Sequence, residues 1–208
     1  MKKLVLLGAG GHCESILDSL LLTCEFEDIV LVDTADKLGK SIRCCPVVGT
    51  DEDLGRLHQQ GYNYAFVSAG SVKSTSLRRS LLEKVIRNGY QLVNILDPSA
   101  RLASSVHMGK GIFVGKNAVI NANAVIEDMA IINTGAIVEH GCLVGKFSHI
   151  SVGAVLCGNV QVGQDCLIGA NATVLQGREI LSGSIIGAGE VVKTTKPFHE
   201  TVNVYGGG

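Results

Sequence analysis

Tryptophan is absent from this 208-residue chain, and aromatic residues of all kinds make up only 4% of it. A core built around large rings is therefore excluded, and the interior has to be filled with aliphatic side chains. Prolines number only 3, and the 26 glycines show no period of three, so a collagen-like chain is excluded as well. Neither sign of charge is in excess: 18 Lys and Arg stand against 19 Asp and Glu, a net charge of −1. That balance, with no basic run, argues against a nucleic-acid partner held by phosphate neutralisation. Long apolar runs are missing too. Leu4 to Leu7 is too short for a signal segment or a membrane span, so the expected location is cytoplasmic with no membrane span. With 46% hydrophobic residues the chain is not disordered. Its 7 cysteines are odd in number and lack a CxxC pair, and they read as small buried hydrophobes.

What is present is a period. Stepping by six from Leu96 through Leu102, Met108, Val114 and Ile120 to Val192 meets an aliphatic residue at every one of seventeen positions, with no insertion. With such residues making up roughly one in three of an average chain, chance does not produce this. Four residues after each aliphatic the side chain is mostly small, as at Ala118, Ala124, Ala130, Ala136, Cys142 and Ser148. This is a hexapeptide repeat, and it predicts a parallel β-helix in which three repeats form one triangular coil. Repeats spanning 96–191 make slightly more than five coils, about 25 Å tall at the usual strand spacing.

The first 95 residues follow another rule. Lys3–Leu7 is a short apolar strand that runs into Gly8-Ala9-Gly10-Gly11-His12 and then a helical pattern at Ile16, Leu17, Leu20 and Leu21. Further strands are expected at Ile29–Val32, Tyr64–Val67 and Leu92–Ile95, with helices from Asp51 to about Gln60 and from Ser74 to Arg87. Strand–helix alternation predicts a small parallel, Rossmann-like α/β domain over residues 1–95, followed by the β-helix domain over 96–208.

Two places carry chemistry. Gly8 and Gly10 supply two of the three glycines of a dinucleotide turn, where backbone N–H groups approach a phosphate at a helix N-terminus. Asp33, at the end of the second strand, suits a ribose or sugar hydroxyl. A diphosphate site fits this half-fingerprint better than an NAD site. Of six histidines (12, 58, 107, 140, 149 and 199), His140 and His149 lie mid-array and half a coil apart. They are therefore not neighbours within one chain, and a trimer could bring both into one groove between subunits.

Gly8-Ala9-Gly10-Gly11-His12, Asn133-Thr134-Gly135-Ala136-Ile137-Val138-Glu139-His140 and Phe147-Ser148-His149-Ile150-Ser151-Val152-Gly153 resemble the sugar acyltransferases of the sialic acid O-acetyltransferase (NeuD) family. Within it the chain is most similar to UDP-4-amino-sugar N-acetyltransferases of the bacillosamine pathway. The resemblance spans nearly the whole chain. It implies a Rossmann-like nucleotide-sugar domain, a left-handed β-helix, a homotrimer and acetyl-CoA as cosubstrate, with no metal. Carried over by motif, His140 is the expected catalytic base, and a neutral imidazole near pH 7 suits that work. His149, Ala170 and Ala188 match acetyl-CoA positions; Gly10, Gly11, His12, Asp33 and Gly70 match nucleotide-sugar positions; Asn133 is expected to line the acceptor site.

The chain departs from the family pattern in three places. The family commonly has an acid directly after the catalytic histidine, where this chain has Gly141. Glu139 precedes it, but successive strand residues face opposite sides, so Glu139 is not expected to substitute. A second acid after Asp33 is replaced by Thr34, which leaves the sugar's identity open. The chain stops at Tyr205-Gly206-Gly207-Gly208, where members usually continue near the CoA, leaving truncation or a missing contact as the two readings. The activity expected is N-acetylation of a UDP-linked amino sugar, with sialic acid O-acetylation as the alternative. Readings from other classes are a non-catalytic trimeric scaffold, a zinc anhydrase using His107, His140 and His149, and an NAD enzyme.

Overall fold

The structure, a computed structural model, describes residues 2–70 and 74–195. The chain divides into two compact units, Met1–Ile95 and Leu96–Gly208. The terminal Tyr205–Gly208 segment and His199 lie outside the described residues.

In the first unit, the apolar run β1 (Lys3–Leu7) lies inside a mostly parallel sheet, with Leu4, Val5, Leu6 and Leu7 fully buried. The other strands are β2 (Asp28–Val32), β3 (Ser41–Ile42), β4 (Cys45–Gly49), β5 (Tyr64–Val67) and β6 (Gln91–Leu92). Their order is β3-β4-β2-β1-β5-β6, with only β3 antiparallel. Helix α1 (Gly11–Thr23) buries Cys13, Ile16, Leu17 and Leu20, a spacing that keeps them on one face. It ends at Cys24, which takes the left-handed conformation that closes many helices. α2 (Leu54–Gln59) and α3 (Ser76–Arg87) complete the unit.

The expected helix from Asp51 is a 3-10 turn over Asp51–Asp53 that leads into α2. The β3–β4 hairpin, turning at Arg43 with φ of +51°, has no counterpart in the sequence pattern. It joins the sheet because β4 pairs with β2, supplying neighbours that no local pattern announces.

The second unit is a left-handed β-helix, with two six-stranded parallel sheets and one five-stranded sheet forming its three faces. Each strand is two residues long and pairs with the strand one coil on, as from Ile131 to His149 to Leu167 on one face and from Val119 to Ile137 to Val155 on the next. One coil therefore advances the chain by eighteen residues. The aliphatic of each repeat points inward: Ile120, Ile126, Ile132, Val138, Val144 and Ile150 are all fully buried in one continuous core. Burying such a side chain contributes roughly 1.5–3 kcal/mol, and the column repeats it in every coil. Ala118, Ala124, Ala130 and Ala136 are buried beside it as small residues between the plugs.

The corners carry a second period. Every sixth residue from Gly111 to Gly189 has φ between +54° and +77°. Gly, Asn and Asp tolerate this region best, and they occupy all but two of these corners. The exceptions, Met129 and Phe147, lie one coil apart and are both buried.

Candidate active site

The first unit reverses direction at β1: β2 and β4 lie on one side of it and β5 and β6 on the other. Ligands of open α/β sheets bind at such a switch point, outside the carboxyl ends of the strands. Here those ends carry Gly8-Ala9-Gly10 after β1 and Ser68-Ala69-Gly70 after β5. Gly8 has φ of +107°, and a Cβ on it would stand 2.8 Å from the Ala69 backbone nitrogen, so the two loops meet only because it is glycine. Ser68 Oγ donates to the Gly8 carbonyl at 2.6 Å, tying them further. Gly10 caps α1, which leaves the first helical N–H groups as an anion site. Gly70 and His12 face each other, since a Cβ on Gly70 would lie 3.4 Å from the His12 Cβ. A cavity of about 590 Å³ opens there, lined by Gly8, Gly10, Asp33, Lys37, Glu52 and Gly70 among others. Gly10, Asp33 and Gly70, expected together from the sequence, thus line one cavity, with Gly11 and His12 beside it.

Asp33 lines this cavity and also holds the turn beside it. Its carboxylate accepts from the Ala9 backbone N–H, from Lys37 Nζ at 3.0 Å, and from the Thr34 backbone N–H and hydroxyl at 2.6 and 3.0 Å. These four donors match the roughly four lone-pair sites of a carboxylate. Burial pushes the carboxyl pKa up, but these hydrogen bonds outweigh it and hold the value down at about 2. Lys37 Nζ also donates to the Ala9 carbonyl at 3.2 Å. Asp33 and Lys37 together clasp the glycine turn. Lys37 is a residue that the linear reading missed; its place in the 3-10 turn after β2 is the only signal.

In the β-helix, Asn133, Ala170 and Ala188 follow strands of the same face and lie at the same corner, and His149 starts a strand on that face. The Ala170 carbonyl accepts the Gly189 N–H at 2.8 Å, so this corner is pinned coil to coil. Asn133 Nδ2 lies 3.1 Å from His149 Nε2. Because Asn133 Oδ1 accepts the Thr134 N–H at 2.8 Å, the amide nitrogen is the group facing the ring, and His149 Nε2 is the acceptor.

His140 lies elsewhere: it follows the strand Ile137–Val138, one face further round. A single chain therefore separates His140 from Asn133 and His149. His140 occupies a corner turn, and this overturns the expectation for Glu139, because strand alternation does not apply in a turn. Glu139 Oε2 meets His140 Nδ1 at 3.1 Å and the His140 backbone N–H at 3.1 Å, while Asn121 Nδ2 donates to Glu139 Oε1 at 2.9 Å. The hydrogen bond from the His140 ring holds the Glu139 carboxyl below its usual range. The His140 carbonyl accepts the Asn159 N–H at 2.8 Å, and the imidazole lies across Gly158, where a Cβ would stand 2.6 Å from Cε1. Asn121 lies one coil before Glu139 and Gly158 one coil after His140, so an eighteen-residue step along the sequence is the signal that finds both. Among the described residues no three His, Cys, Asp or Glu side chains converge to hold a metal ion. None of the described helices is long and apolar enough to cross a membrane.

An α/β unit with a glycine turn and a cavity at its switch point, ahead of a left-handed β-helix with an exposed, acid-paired histidine, defines a hexapeptide-repeat acyltransferase. Residues 3–85 match the PglD N-terminal domain family, and residues 103–128 and 159–193 match the hexapeptide repeat of succinyl-transferase. The chain is similar to the perosamine N-acetyltransferase of Caulobacter crescentus, solved with CoA and GDP-perosamine as a histidine-to-asparagine variant. The two share 36% identity over 94% of this chain and 90% of that one, with a TM-score of 0.87. It is also similar to the acetyltransferase domain of PglB from Neisseria gonorrhoeae, at 32% identity over 95% and 94% of the two chains and a TM-score of 0.87. WeeI from Acinetobacter baumannii, at 16% identity and a TM-score of 0.71 over 94% of this chain and 96% of that one, shares the fold. The chain belongs to the NeuD/PglD-type family of sugar acyltransferases.

Proposed function

We propose that this protein transfers the acetyl group of acetyl-CoA to the amine of a nucleotide-linked sugar, with His140 as general base. The observation that carries the reading is His140 itself, a solvent-facing imidazole fixed on a rigid corner with an acid on its Nδ1 side. The amine nitrogen attacks the thioester carbonyl, forming a C–N bond, and His140 Nε2 takes the amine proton. Collapse of the tetrahedral intermediate breaks the C–S bond, and the proton leaves with CoA as its thiol. General-base help of this kind is worth about 10²–10⁴ in rate.

The nucleotide diphosphate binds at the α1 N-terminus through Gly10, Gly11 and His12, with Gly70 opposite and Asp33 holding the turn. His149, Ala170 and Ala188 serve acetyl-CoA, and Asn133 serves the acceptor site through His149. A homotrimer brings His140 of one subunit to the His149 corner of another, which accounts for the separation of the two within one chain. The domain division falls at residue 95, and the cytoplasm is the compartment. Relatives solved with CoA and GDP-perosamine, and with acetyl coenzyme A, support this reading.

Thiol release from acetyl-CoA over a panel of UDP- and GDP-linked amino sugars and sialic acids tests it. Turnover of a nucleotide amino sugar is the expected result. Turnover of sialic acid alone makes the protein an O-acetyltransferase, and no turnover leaves a trimeric scaffold. His140→Ala is expected to lose about 10²–10⁴ in kcat. Full activity in that variant removes the base assignment, and a monomeric mass by sedimentation removes the intersubunit site.

A further inference from the structure

Within the reading of His140 as base, one question is left open by the family pattern: what orients the imidazole when no acid follows it. We propose that Glu139 is the positioning residue of the acetyl transfer, and that its carboxylate, held from the neighbouring coil by Asn121, fixes the proton of His140 on Nδ1 and leaves Nε2 as the proton acceptor.

Three observations combine. The first is the clamp. Glu139 Oε2 accepts both from the His140 backbone N–H and from ring Nδ1, each at 3.1 Å. Two bonds from one oxygen to the backbone and the ring of the same residue restrict how that ring turns about its Cα–Cβ bond. A carboxylate only accepts, so Nδ1 carries the hydrogen and Nε2 keeps its lone pair. The second is the hold on the clamp. Asn121 Nδ2 donates to the other carboxylate oxygen at 2.9 Å, and the Asn121 backbone lies in the same column one coil away. Glu139 is thus bonded through both oxygens, although it is partly open to solvent.

The third is position 141 itself. Gly141 occupies a corner with φ of +66°, and a Cβ there would collide with Asn159 Oδ1. A side chain at that position would require the Asn159 amide to move aside. The corner that loses the usual acid is the corner whose preceding residue curls back onto the ring. The direction of support is reversed along the chain, while the chemistry of a carboxylate on Nδ1 is kept.

Three readouts on the full-length protein test the assignment. Glu139→Ala is expected to lower kcat about tenfold, the low end of the cost of removing the orienting partner of a metal-bound histidine, and to leave KM for acetyl-CoA and for the nucleotide sugar within about twofold. Nitrogen-15 spectra of histidine-labelled protein, with the His140 signals assigned by their loss in His140→Ala, should show one neutral tautomer with the proton on Nδ1. Glu139→Ala should give a mixture of tautomers. Glu139→Gln keeps an acceptor oxygen and should recover part of both the rate and the tautomer preference.

A tautomer ratio and kcat unchanged in Glu139→Ala overturn the proposal, as does a loss confined to KM. Should Glu139→Ala fail to fold, Asn121→Ala, which frees the carboxylate without removing it, carries the same readouts with a smaller loss, and unchanged values there overturn the proposal equally. The two assignments fail separately. A fully active His140→Ala ends the base assignment, whereas an inactive His140→Ala beside a wild-type-like Glu139→Ala ends only the role of Glu139.

Discussion

The α/β unit and the β-helix solve the same problem, holding a few polar groups still, in opposite ways. In the first, central strands of four or five residues are buried with neighbours that differ at every position, and the site is made of loops that meet at their tips. In the second, every strand is two residues long and each coil repeats the neighbours of the last, so the site is a side chain mounted beside a corner whose backbone recurs along the whole prism. The difference teaches where stability and function are coupled. In the loop-built site the residue that holds the turn also shapes the pocket; in the corner-built site the core column holds the backbone and the functional side chain stands outside it.

The largest test of this contrast is in the core column. Ile150→Ala removes a fully buried plug and is expected to destabilise the β-helix by about 2–5 kcal/mol, read from denaturant unfolding. The α/β unit's own transition should stay where it was. A shift of both transitions would break the separation.

Next is Gly158→Ala, which places a methyl where the His140 ring lies. The ring can swing aside, so the fold should survive with little change in melting temperature. A displacement of about 1 Å at a reacting group costs on the order of a hundredfold in rate, and kcat is the quantity to follow. Equal losses of stability and activity would count against the idea that function stands outside the column.

In the α/β unit the same separation should fail. Asp33 has its pKa held at about 2, below its ordinary 3.8, so its contribution is fully present above that ordinary value and is lost as pH falls through about 2. Asp33→Asn should cost the unit about 2 kcal/mol near neutral pH, and the gap to the wild type should close in acid. Nucleotide-sugar binding should weaken with it, because the turn that Asp33 clasps is the one that presents the helix N–H groups. Calorimetry on both proteins from neutral pH down through the Asp33 titration provides the check.

The smallest effect isolates the corner itself. At Gly177, φ is +66° and an added Cβ meets nothing, so Gly177→Ala changes only backbone preference. A loss of about 1 kcal/mol is expected, and Gly177→Asn should cost less.

The same contrast explains what can be read in advance. The inward column is legible from Leu96 to Val192 because a coil's environment recurs and leaves a period in the sequence. The β3–β4 hairpin is not, because β4 owes its place to pairing with β2, a long-range event. The Glu139–His140 contact escapes a linear reading for a narrower reason: alternation describes strands, and these two residues lie past the end of one. Asp33 stands out by its place after β2, but its partners, Ala9 and Lys37, are known only once β1, β2 and the 3-10 turn come together.

The eighteen-residue coil has a consequence for how such a protein can change over time. Removing one whole coil leaves every remaining column in phase and yields only a shorter prism. Removing a single residue turns each later plug away from the interior and puts a side chain unsuited to a left-handed backbone at each later corner. Height is therefore free to drift in whole-coil steps, whereas phase is not, and a histidine such as His140 is held to its address by every residue between it and the start of the prism.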